Sequence, residues 1–552
     1  MGMDDDNIWA SMPPSPMEKP EPPAPLAREI PGSVFLISAA GEILKLPIPS
    51  QSHRDPLTWS WTTRLVAFIA LALCTTITFF EVKLPAALMT AFEHEFNDDG
   101  NGTRNVTSIN SLVTITVSIG YLVAIPMSTA VGRRPVLLTS CLVTLFSTVT
   151  AAFTYGYAWL VFSICAQGLA IGMTCGTSII ITLDATFVYE RPYAVSILWC
   201  FVMGSVNVLL TPLPYITDVT VSWRPVYVVW VAPAFASLLL VFFFVPETFF
   251  LRPPVALDGR ILVQSSSEHV KIYEDWESVD PVDVAHQREA AESGRYASIR
   301  WDRLKITRAP GTDWKAARAV ALQMVLCLCN PLVLWVSLLG GVILGGVIFL
   351  NITQVIHLMQ TLEGAELSMM SAYVGISGGV SSLIAIPAAG PLIAWATRYF
   401  TIRSGGTRHA EVYLIGFILP VVTAVISLGV YAAATTNMWA PSVQYFVFGL
   451  ANFSFLTSYV SGIVWVTEAF PPWAAASLAV ELAAVNMLAS VVGINLTRWA
   501  AQGDIMGPCI LLVILILVLG AVAVPIAFWG KSLRQRIDGK WSTCEKGALR
   551  PQ

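Results

Sequence analysis

Charged side chains are scarce in this sequence. Asp, Glu, Lys and Arg account for 12% of the 552 residues, and hydrophobic residues account for 55%. Soluble domains are about one quarter charged, because charge keeps their surfaces in contact with water. This shortage excludes an ordinary soluble globular protein and favours a chain that lies mostly within a lipid bilayer.

Cysteine is almost absent outside apolar sequence. Of the 9 cysteines, Cys544 lies near the C-terminus and the others fall inside apolar runs. Those others are Cys74, Cys141, Cys165, Cys175, Cys200, Cys327, Cys329 and Cys509. None falls in a predicted outer loop, so a disulfide framework is not expected.

Motifs for cofactor and metal chemistry are also lacking. The chain carries no Walker string and no glycine-rich phosphate loop, so ATP-driven chemistry is not indicated. No paired His and Asp and no cluster with metal-ligand spacing occurs in the apolar runs, which argues against a membrane-embedded enzyme. We therefore expect no enzyme, no cofactor, no metal site and no nucleic-acid partner.

What the chain does contain is a series of twelve apolar runs of about 20 residues, each long enough to cross a bilayer. They are residues 65–92, 108–131, 136–156, 158–184, 194–216, 225–246, 331–355, 369–395, 413–434, 442–466, 474–496 and 507–529. Backbone groups find no water inside hydrocarbon, so each run is expected to be a helix. A further run, 319–329, ends at Asn330-Pro331 and predicts a short separate helix.

Polar and proline-rich stretches divide these runs into regions. Residues 1–62 predict a cytoplasmic, disordered tail because they are rich in proline. Residues 63–247 and 319–530 form two six-helix halves. Between them, residues 248–318 carry both signs of charge without a sustained apolar face and predict a cytoplasmic central loop. Residues 531–552 form a basic cytoplasmic tail, and the predicted fold is an all-α integral membrane protein with twelve transmembrane helices.

The distribution of arginine and lysine favours one orientation. With both termini in the cytoplasm, the short inner loops and the C-terminal tail hold more basic residues than the outer loops, as the positive-inside rule requires. We expect a multi-pass protein of the cell membrane, with the vacuole or another endomembrane as the alternative. In this orientation the sequons at Asn101 and Asn105 lie in the first outer loop, where glycosylation is sterically feasible.

A basic motif follows the second apolar run. Ile125-Pro126-Met127-Ser128 leads into Gly132-Arg133-Arg134-Pro135. This string resembles the first signature of the major facilitator superfamily, although Thr129 and Ala130 replace that signature's Asp and Arg. The resemblance implies a latch between inner helix ends, composed of Gly132, Arg133, Arg134, Asp184, Glu190 and Arg191. Simple anchoring of the two arginines at the cytoplasmic interface is the alternative.

Other motifs resemble one branch of that superfamily. Pro246-Glu247-Thr248-Phe249 closes the sixth run as in many fungal members, and Phe470-Pro471 fits the same branch. Arg403-Ser404-Gly405-Gly406-Thr407 with Glu411 resembles the branch's eighth inner loop. Ile164 departs from the superfamily, whose second signature has an intramembrane Arg there. The chain as a whole is similar to fungal drug:proton antiporters with twelve spans.

Apart from Asp184 at the end of the fourth run, three charged residues lie within the apolar runs, where each costs several kcal/mol unless it has a function or a partner. Glu81 and Lys83 fall in the outer half of the first run, and Glu481 falls about 10 Å into the eleventh. Glu81 and Glu481 are candidates for proton coupling. Alternatively, Glu81 faces away from a central cavity, and Glu481 reaches the interface or stays protonated against a neighbouring helix. Further candidates to line the cavity are Gln167, Asn207, Tyr459 and Asn486.

The resemblance also implies a function. It implies a secondary active transporter that works by alternating access, with proton-coupled efflux of a secondary metabolite, toxin or drug as the favoured activity. A proton-coupled importer of a small nutrient or polyamine is one alternative, and a non-transporting membrane sensor of the same fold is another. The expected partners are a small-molecule substrate, protons as the coupling ion and the lipid bilayer, and the protein is expected to be a monomer.

Overall fold

The computed structural model describes residues 33–35, 52, 54–97, 109–213, 222–250, 255–257, 260–264, 270–273, 309, 312, 314–362, 364–403 and 407–541. Asn101, Asn105, Cys544 and most of the predicted N-terminal tail and central loop lie outside the described residues. Within the described part, 12 helices are long and apolar enough to cross a membrane. This confirms the predicted class of fold.

The helices are called span one to span twelve in chain order. The first six are Trp61–Ala87, Ile109–Val131, Arg133–Phe153, Tyr157–Asp184, Arg191–Leu210 and Arg224–Phe244. The second six are Pro331–Thr361, Met369–Arg403, Ala410–Thr436, Pro441–Ala469, Ala474–Ala500 and Met506–Arg534. The side of the membrane at which span one begins and span twelve ends is called the near side, and the other is the far side.

Proline and capping residues set several helix ends. The first apolar run predicts a helix as far as Phe92, but span one ends at Ala87, shortly after Pro85, and a separate helix begins at Met89. The predicted short helix before span seven is present as Trp314–Leu328. Span seven then begins at Pro331, whose fixed φ suits the first helical position. The Asn330 side chain caps it by accepting a hydrogen bond from the backbone N–H of Leu332 at 3.0 Å.

Short strands occur outside the spans. In the predicted central loop, β2 (Val255–Leu257), β3 (Arg260–Gln264) and β4 (Val270–Tyr273) form an antiparallel sheet in the order β2-β3-β4. The β-branched residues of β3 and β4 favour strand formation. In addition, β1 (Ser33–Phe35) pairs antiparallel with β5 (Thr407–His409), with Val34 opposite Arg408. The sequence predicted no strand in either region.

Small residues allow the spans to approach closely. A Cβ on Gly172 of span four would lie 2.1 Å from the carbonyl oxygen of Val117 in span two. Between the two halves, a Cβ on Gly390 of span eight would lie 2.5 Å from the carbonyl oxygen of Pro192 in span five. Such small-residue contacts are the usual way in which membrane helices pack, because lipid supplies no hydrophobic driving force between them. Like spans five and eight, spans two and eleven pack against each other along an extended contact between the halves.

Candidate functional site

The near-side ends of spans three and four are joined by a buried ion pair. Arg133 begins span three, and its Nε lies 3.1 Å from Oδ2 of Asp184, the last residue of span four. The same guanidinium donates to the carbonyl oxygen of Ser128 at 3.0 Å and lies 4.4 Å from the centre of the Phe249 ring. Arg133 is 1% exposed. A side chain so deeply buried is not an interfacial anchor.

Glu247 binds the start of span three from beyond the end of span six. Its carboxylate accepts hydrogen bonds from the backbone N–H groups of Arg133 at 2.9 Å and Arg134 at 3.1 Å. These are N–H groups that the first turn of a helix leaves without a partner. Gly132 has φ +117°, and a Cβ there would lie 2.6 Å from Oε2 of Glu247. Burial raises the pKa of Glu247 above its ordinary value, although these N–H groups act in the opposite direction.

Of the remaining residues of the predicted latch, Arg134 joins this cluster through its backbone N–H group, which donates to Glu247, and its side chain reaches the end of span six. Arg134 donates to the carbonyl oxygen of Phe242 at 2.6 Å. Glu190 accepts from the Tyr189 hydroxyl at 3.0 Å and from the backbone N–H of Phe187 at 3.3 Å. The structure thus divides the predicted set between the near-side start of span three, the turn before span five and a contact between the halves.

That contact is the ion pair of Arg191 and Glu468. Nη1 of Arg191 lies 2.5 Å from Oε1 of Glu468, and both side chains are buried. Arg191 begins span five in the first half, and Glu468 lies at the near-side end of span ten in the second half. Sequence reasoning missed Glu468. The available signal was a carboxylate at the end of an apolar run, directly before Phe470-Pro471.

Aromatic side chains close the space between the halves at a greater depth. Tyr121 of span two and Tyr459 of span ten have their hydroxyl oxygens 3.3 Å apart. The rings of Trp199 in span five and Tyr459 meet edge to face, with centroids 4.7 Å apart. All three residues lie about 12–15 Å from the near-side ends of their helices, at 1.5 Å per residue. They form an aromatic contact from three spans at one level.

A small cavity adjoins this contact on the side of the second half. Its volume is about 10 Å³, and its lining comprises Val336, Gly340, Phe417, Phe455, Ser458, Tyr459, Gly462, Glu481 and Val485. Glu481 is 2% exposed. Its Oε2 has no hydrogen-bond partner, and neither does the Ser458 hydroxyl. An unpaired carboxyl group and an unpaired hydroxyl therefore share the wall of a cavity that Tyr459 helps to close.

Glu81, the other candidate carboxylate, lies inside the first half. Oε1 of Glu81 is 2.5 Å from the Thr148 hydroxyl of span three, and its Oε2 has no partner. The same hydroxyl lies 2.7 Å from the carbonyl oxygen of Thr144. The structure thus orients Glu81 toward span three, at a different depth from the cavity that Glu481 lines. Lys83 has its Nζ 5.9 Å from the centre of the Phe79 ring.

The polar candidates are dispersed among the spans. Only Tyr459 shares the cavity wall with Glu481. Gln167 is buried in span four, where neither of its amide atoms has a hydrogen-bond partner. Asn207 packs against Gly378 between spans five and eight, and Asn486 donates to the carbonyl oxygen of Leu482 in its own helix at 2.8 Å. No group of three or more potential metal ligands occurs among the described residues.

Comparisons with known proteins agree with this architecture. The family model described as Major Facilitator Superfamily matches residues 71–494. The proton:xylose symporter XylE, solved with 6-bromo-6-deoxy-D-glucose, is 14% identical, with 88% of this chain and 100% of that chain covered and a TM-score of 0.56. The human organic anion transporter MFSD10 (TETRAN) is 15% identical, with 86% and 100% covered and a TM-score of 0.46. A comparison with curated proteins found no match. At 14% identity, the likeness to XylE indicates a shared fold alone.

Proposed function

Because this chain belongs to the major facilitator superfamily, a family of membrane transporters, we propose that it is a secondary active transporter that moves a small organic compound by alternating access. The proposed activity is proton-coupled efflux of a secondary metabolite, toxin or drug. The near side is then the cytoplasmic side of the cell membrane, in agreement with the distribution of basic residues. The same proposal assigns the chain to the fungal drug:proton antiporter branch.

Two contacts between the halves support alternating access. Arg191 and Glu468 hold spans five and ten together at the near side. The aromatic contact of Tyr121, Trp199 and Tyr459 closes the path about 12–15 Å deeper. Both must separate for a substrate to enter from the near side, because spans of different halves supply the partners. The structure therefore has the arrangement expected of the near-side-closed state of a rocking transporter.

The observation that supports proton coupling is the unpaired carboxyl group of Glu481. An ionised carboxylate buried without a basic partner costs several kcal/mol. Closure around Glu481 therefore favours its protonated form, and hydration of the cavity favours release of the proton. A proton bound in one state and released in the other couples the conformational cycle to a proton gradient. Glu81, which lies away from this cavity, is the alternative coupling residue.

The chemistry of the cavity wall favours an amphipathic substrate. Phe417, Phe455 and Tyr459 supply aromatic surface, and Glu481 supplies a single ionisable group. Such a wall suits a compound with an apolar body and at most one positive charge, since a polyamine needs several acidic partners. In this conformation the cavity offers about 10 Å³, roughly the space of one water molecule and far below the roughly 300–1,000 Å³ typical of pockets for organic ligands. The cavity must therefore widen when the halves separate.

Metabolite analysis tests the proposed activity. The medium and the cytosol of cells that lack the gene are compared with those of cells that express it, with and without a protonophore. Efflux predicts that at least one amphipathic compound accumulates in the cytosol of the deletion strain, and that protonophore treatment of expressing cells reproduces this accumulation. Loss of growth on one nutrient would instead indicate import. Binding of a compound without gradient-dependent movement would indicate a sensor.

A further inference from the structure

A third, largely buried ion pair joins the near-side ends of spans nine and twelve. Glu411 is the second residue of span nine, and Arg534 closes the apolar part of span twelve, whose helix continues to Trp541. Nη2 of Arg534 donates to Oε1 of Glu411, and the two side chains are 3% and 15% exposed. This burial distinguishes Arg534 from a basic residue that merely extends into lipid headgroups, where a guanidinium remains in contact with water.

Arg534 also contacts the end of span ten. Its Nη1 lies 3.5 Å from the carbonyl oxygen of Ala469, the last residue of that span. Gly530, one turn before Arg534, faces the Glu411 side chain, because a Cβ there would lie 3.6 Å from Oε1. One guanidinium thus connects the ends of spans nine, ten and twelve, and the Glu411 side chain lies along the face of span twelve.

The first half has a related contact between the corresponding span ends, with the charges at those ends exchanged. There Glu247 accepts hydrogen bonds from the backbone N–H groups of Arg133 and Arg134, whereas Glu411 accepts one from the Arg534 side chain. Spans three, four and six correspond in order to spans nine, ten and twelve, as expected for two parallel repeats. In the first half the base, Arg133, begins span three, and the acid, Glu247, follows span six. In the second half the acid, Glu411, lies at the start of span nine, and the base, Arg534, ends span twelve.

His409, two residues before Glu411, does not compete with Arg534 for the Glu411 carboxylate. Burial lowers the pKa of His409 below its ordinary value. The positive charges of Lys531 and Arg534 also lower this pKa, whereas the negative charge of Glu411 raises it. His409 is therefore neutral near pH 7 and does not replace Arg534 as the cation beside Glu411.

The position of span ten connects this pair to the contact between the halves. Arg534 holds the carbonyl group of Ala469, and the preceding residue, Glu468, forms the ion pair with Arg191. We propose that Glu411 and Arg534 form a second, charge-exchanged latch that positions the end of span ten so that Glu468 meets Arg191. Both are positioning residues, and the proposal rests on the proposed function because it assigns them a part in near-side closure.

Access to the cavity from the near side provides the test. Ser458→Cys places a thiol in the cavity wall, in a chain that also carries Cys329→Ser and Cys544→Ser. Inside-out vesicles are treated with a membrane-impermeant maleimide, and the labelling of the same chain without Ser458→Cys is subtracted. Arg534→Glu and Glu411→Arg are each expected to raise the labelling rate about tenfold or more, because each places two like charges next to each other at a largely buried site.

The double exchange distinguishes the pair from either residue alone. Arg534→Glu combined with Glu411→Arg is expected to return the rate to within about threefold of the original, because the pair reforms with its charges exchanged. Lys531→Glu is the matched control: it makes the same change of charge three residues away at an exposed position, and it is expected to leave the rate unchanged. Arg534→Lys keeps the charge without the planar fork and is expected to give an intermediate rate.

Two outcomes overturn the proposal. One is that Arg534→Glu and Lys531→Glu have the same effect, and the other is that the double exchange does not lower the rate of the single variants. If a single variant does not fold, the rates of the double exchange and of Arg534→Lys decide. Failure of the proposed function would give a different result. The labelling rates would follow the expected order, but neither the original chain nor any variant would transport a compound.

Discussion

Arg191 and Glu468 meet across the boundary between the two halves, with 2.5 Å between Nη1 and Oε1. They are 277 positions apart in the chain, and each lies at the near-side end of its span. Both side chains are buried, so neither charge is compensated by water in this conformation. The stability of the near-side-closed state therefore depends on the pair remaining together.

Glu468→Gln tests this dependence. Removal of the Glu468 charge breaks the ion pair with Arg191, and breaking a buried pair by changing one partner costs about 3–5 kcal/mol. That cost falls on the closed state alone, so we expect a shift toward the near-side-open state and a loss of transport of tenfold or more. The measurements are near-side labelling of Ser458→Cys and flux of the exported compound.

Arg191→Glu combined with Glu468→Arg is the control for that experiment. The exchanged pair is expected to recover closure at least in part. If Glu468→Gln labels no faster than the original chain, the pair does not hold the near side closed.

Glu481→Gln is expected to abolish the dependence of flux on the proton gradient. The amide fills the same space as the protonated carboxyl group but cannot release a proton, so the coupled step is lost while substrate binding persists. Glu81→Gln, in the first half, is the matched control and is expected to retain the gradient dependence. Flux is measured across vesicle membranes with imposed pH differences of either sign. Gradient dependence that survives in Glu481→Gln and disappears in Glu81→Gln would assign coupling to the alternative carboxylate.

Gly132→Ala is expected to destabilise the near-side end of span three. The new Cβ would lie 2.6 Å from Oε2 of Glu247 at a residue with φ +117°. We expect a loss of about 2–4 kcal/mol of stability, from left-handed backbone strain together with displacement of the Glu247 carboxylate. Gly503→Ala is the matched control, since it has φ +96° but nothing within 4 Å of the added Cβ. The measurement is the melting temperature of each purified protein in detergent. Equal losses in the two variants would mean that the Glu247 side chain moves aside without destabilising the protein.

Glu247→Gln tests the electrostatics of the same contact. Burial raises the pKa of Glu247 in the folded protein above its ordinary value of 4.5. The stabilising contribution of a group with a raised pKa is complete below its unfolded value and is lost as the pH rises through the folded value. Gln does not titrate, so the stability of the Gln variant relative to the original chain is expected to increase as the pH rises above about 4. A difference in melting temperature that decreases over this range would mean that the N–H groups of Arg133 and Arg134 outweigh burial.

Local sequence carried much of the architecture. Membrane-spanning length depends only on consecutive apolar residues, so twelve helices and the short helix before Asn330-Pro331 could be predicted without knowledge of any contact. Helix ends were less accurate. Span one stops at Ala87 and span eight extends to Arg403. Capping residues, proline and the neighbouring polar loops determine these ends, and the length of an apolar run does not include their effects.

The candidate site could be predicted only in part. Glu481 was identifiable because an isolated charge inside an apolar run needs a reason. Glu468 and Glu411 were not, because a carboxylate at a helix end is ordinary until its partner is known. Arg534 lies in the predicted basic tail, yet its side chain is only 3% exposed in the structure.

By itself, the sequence determined how many helices cross the membrane, where charge is rare and which residues are unusual for their surroundings, since these are properties of neighbouring residues along one helix. The tertiary structure alone decided that Arg191 meets Glu468, that Glu81 turns toward Thr148 and that Glu481 lines a cavity beside Tyr459. Those outcomes depend on the rotation of each helix about its axis and on the packing of the two halves. Side chains from distant parts of the chain set both, through contacts that apolar periodicity does not encode.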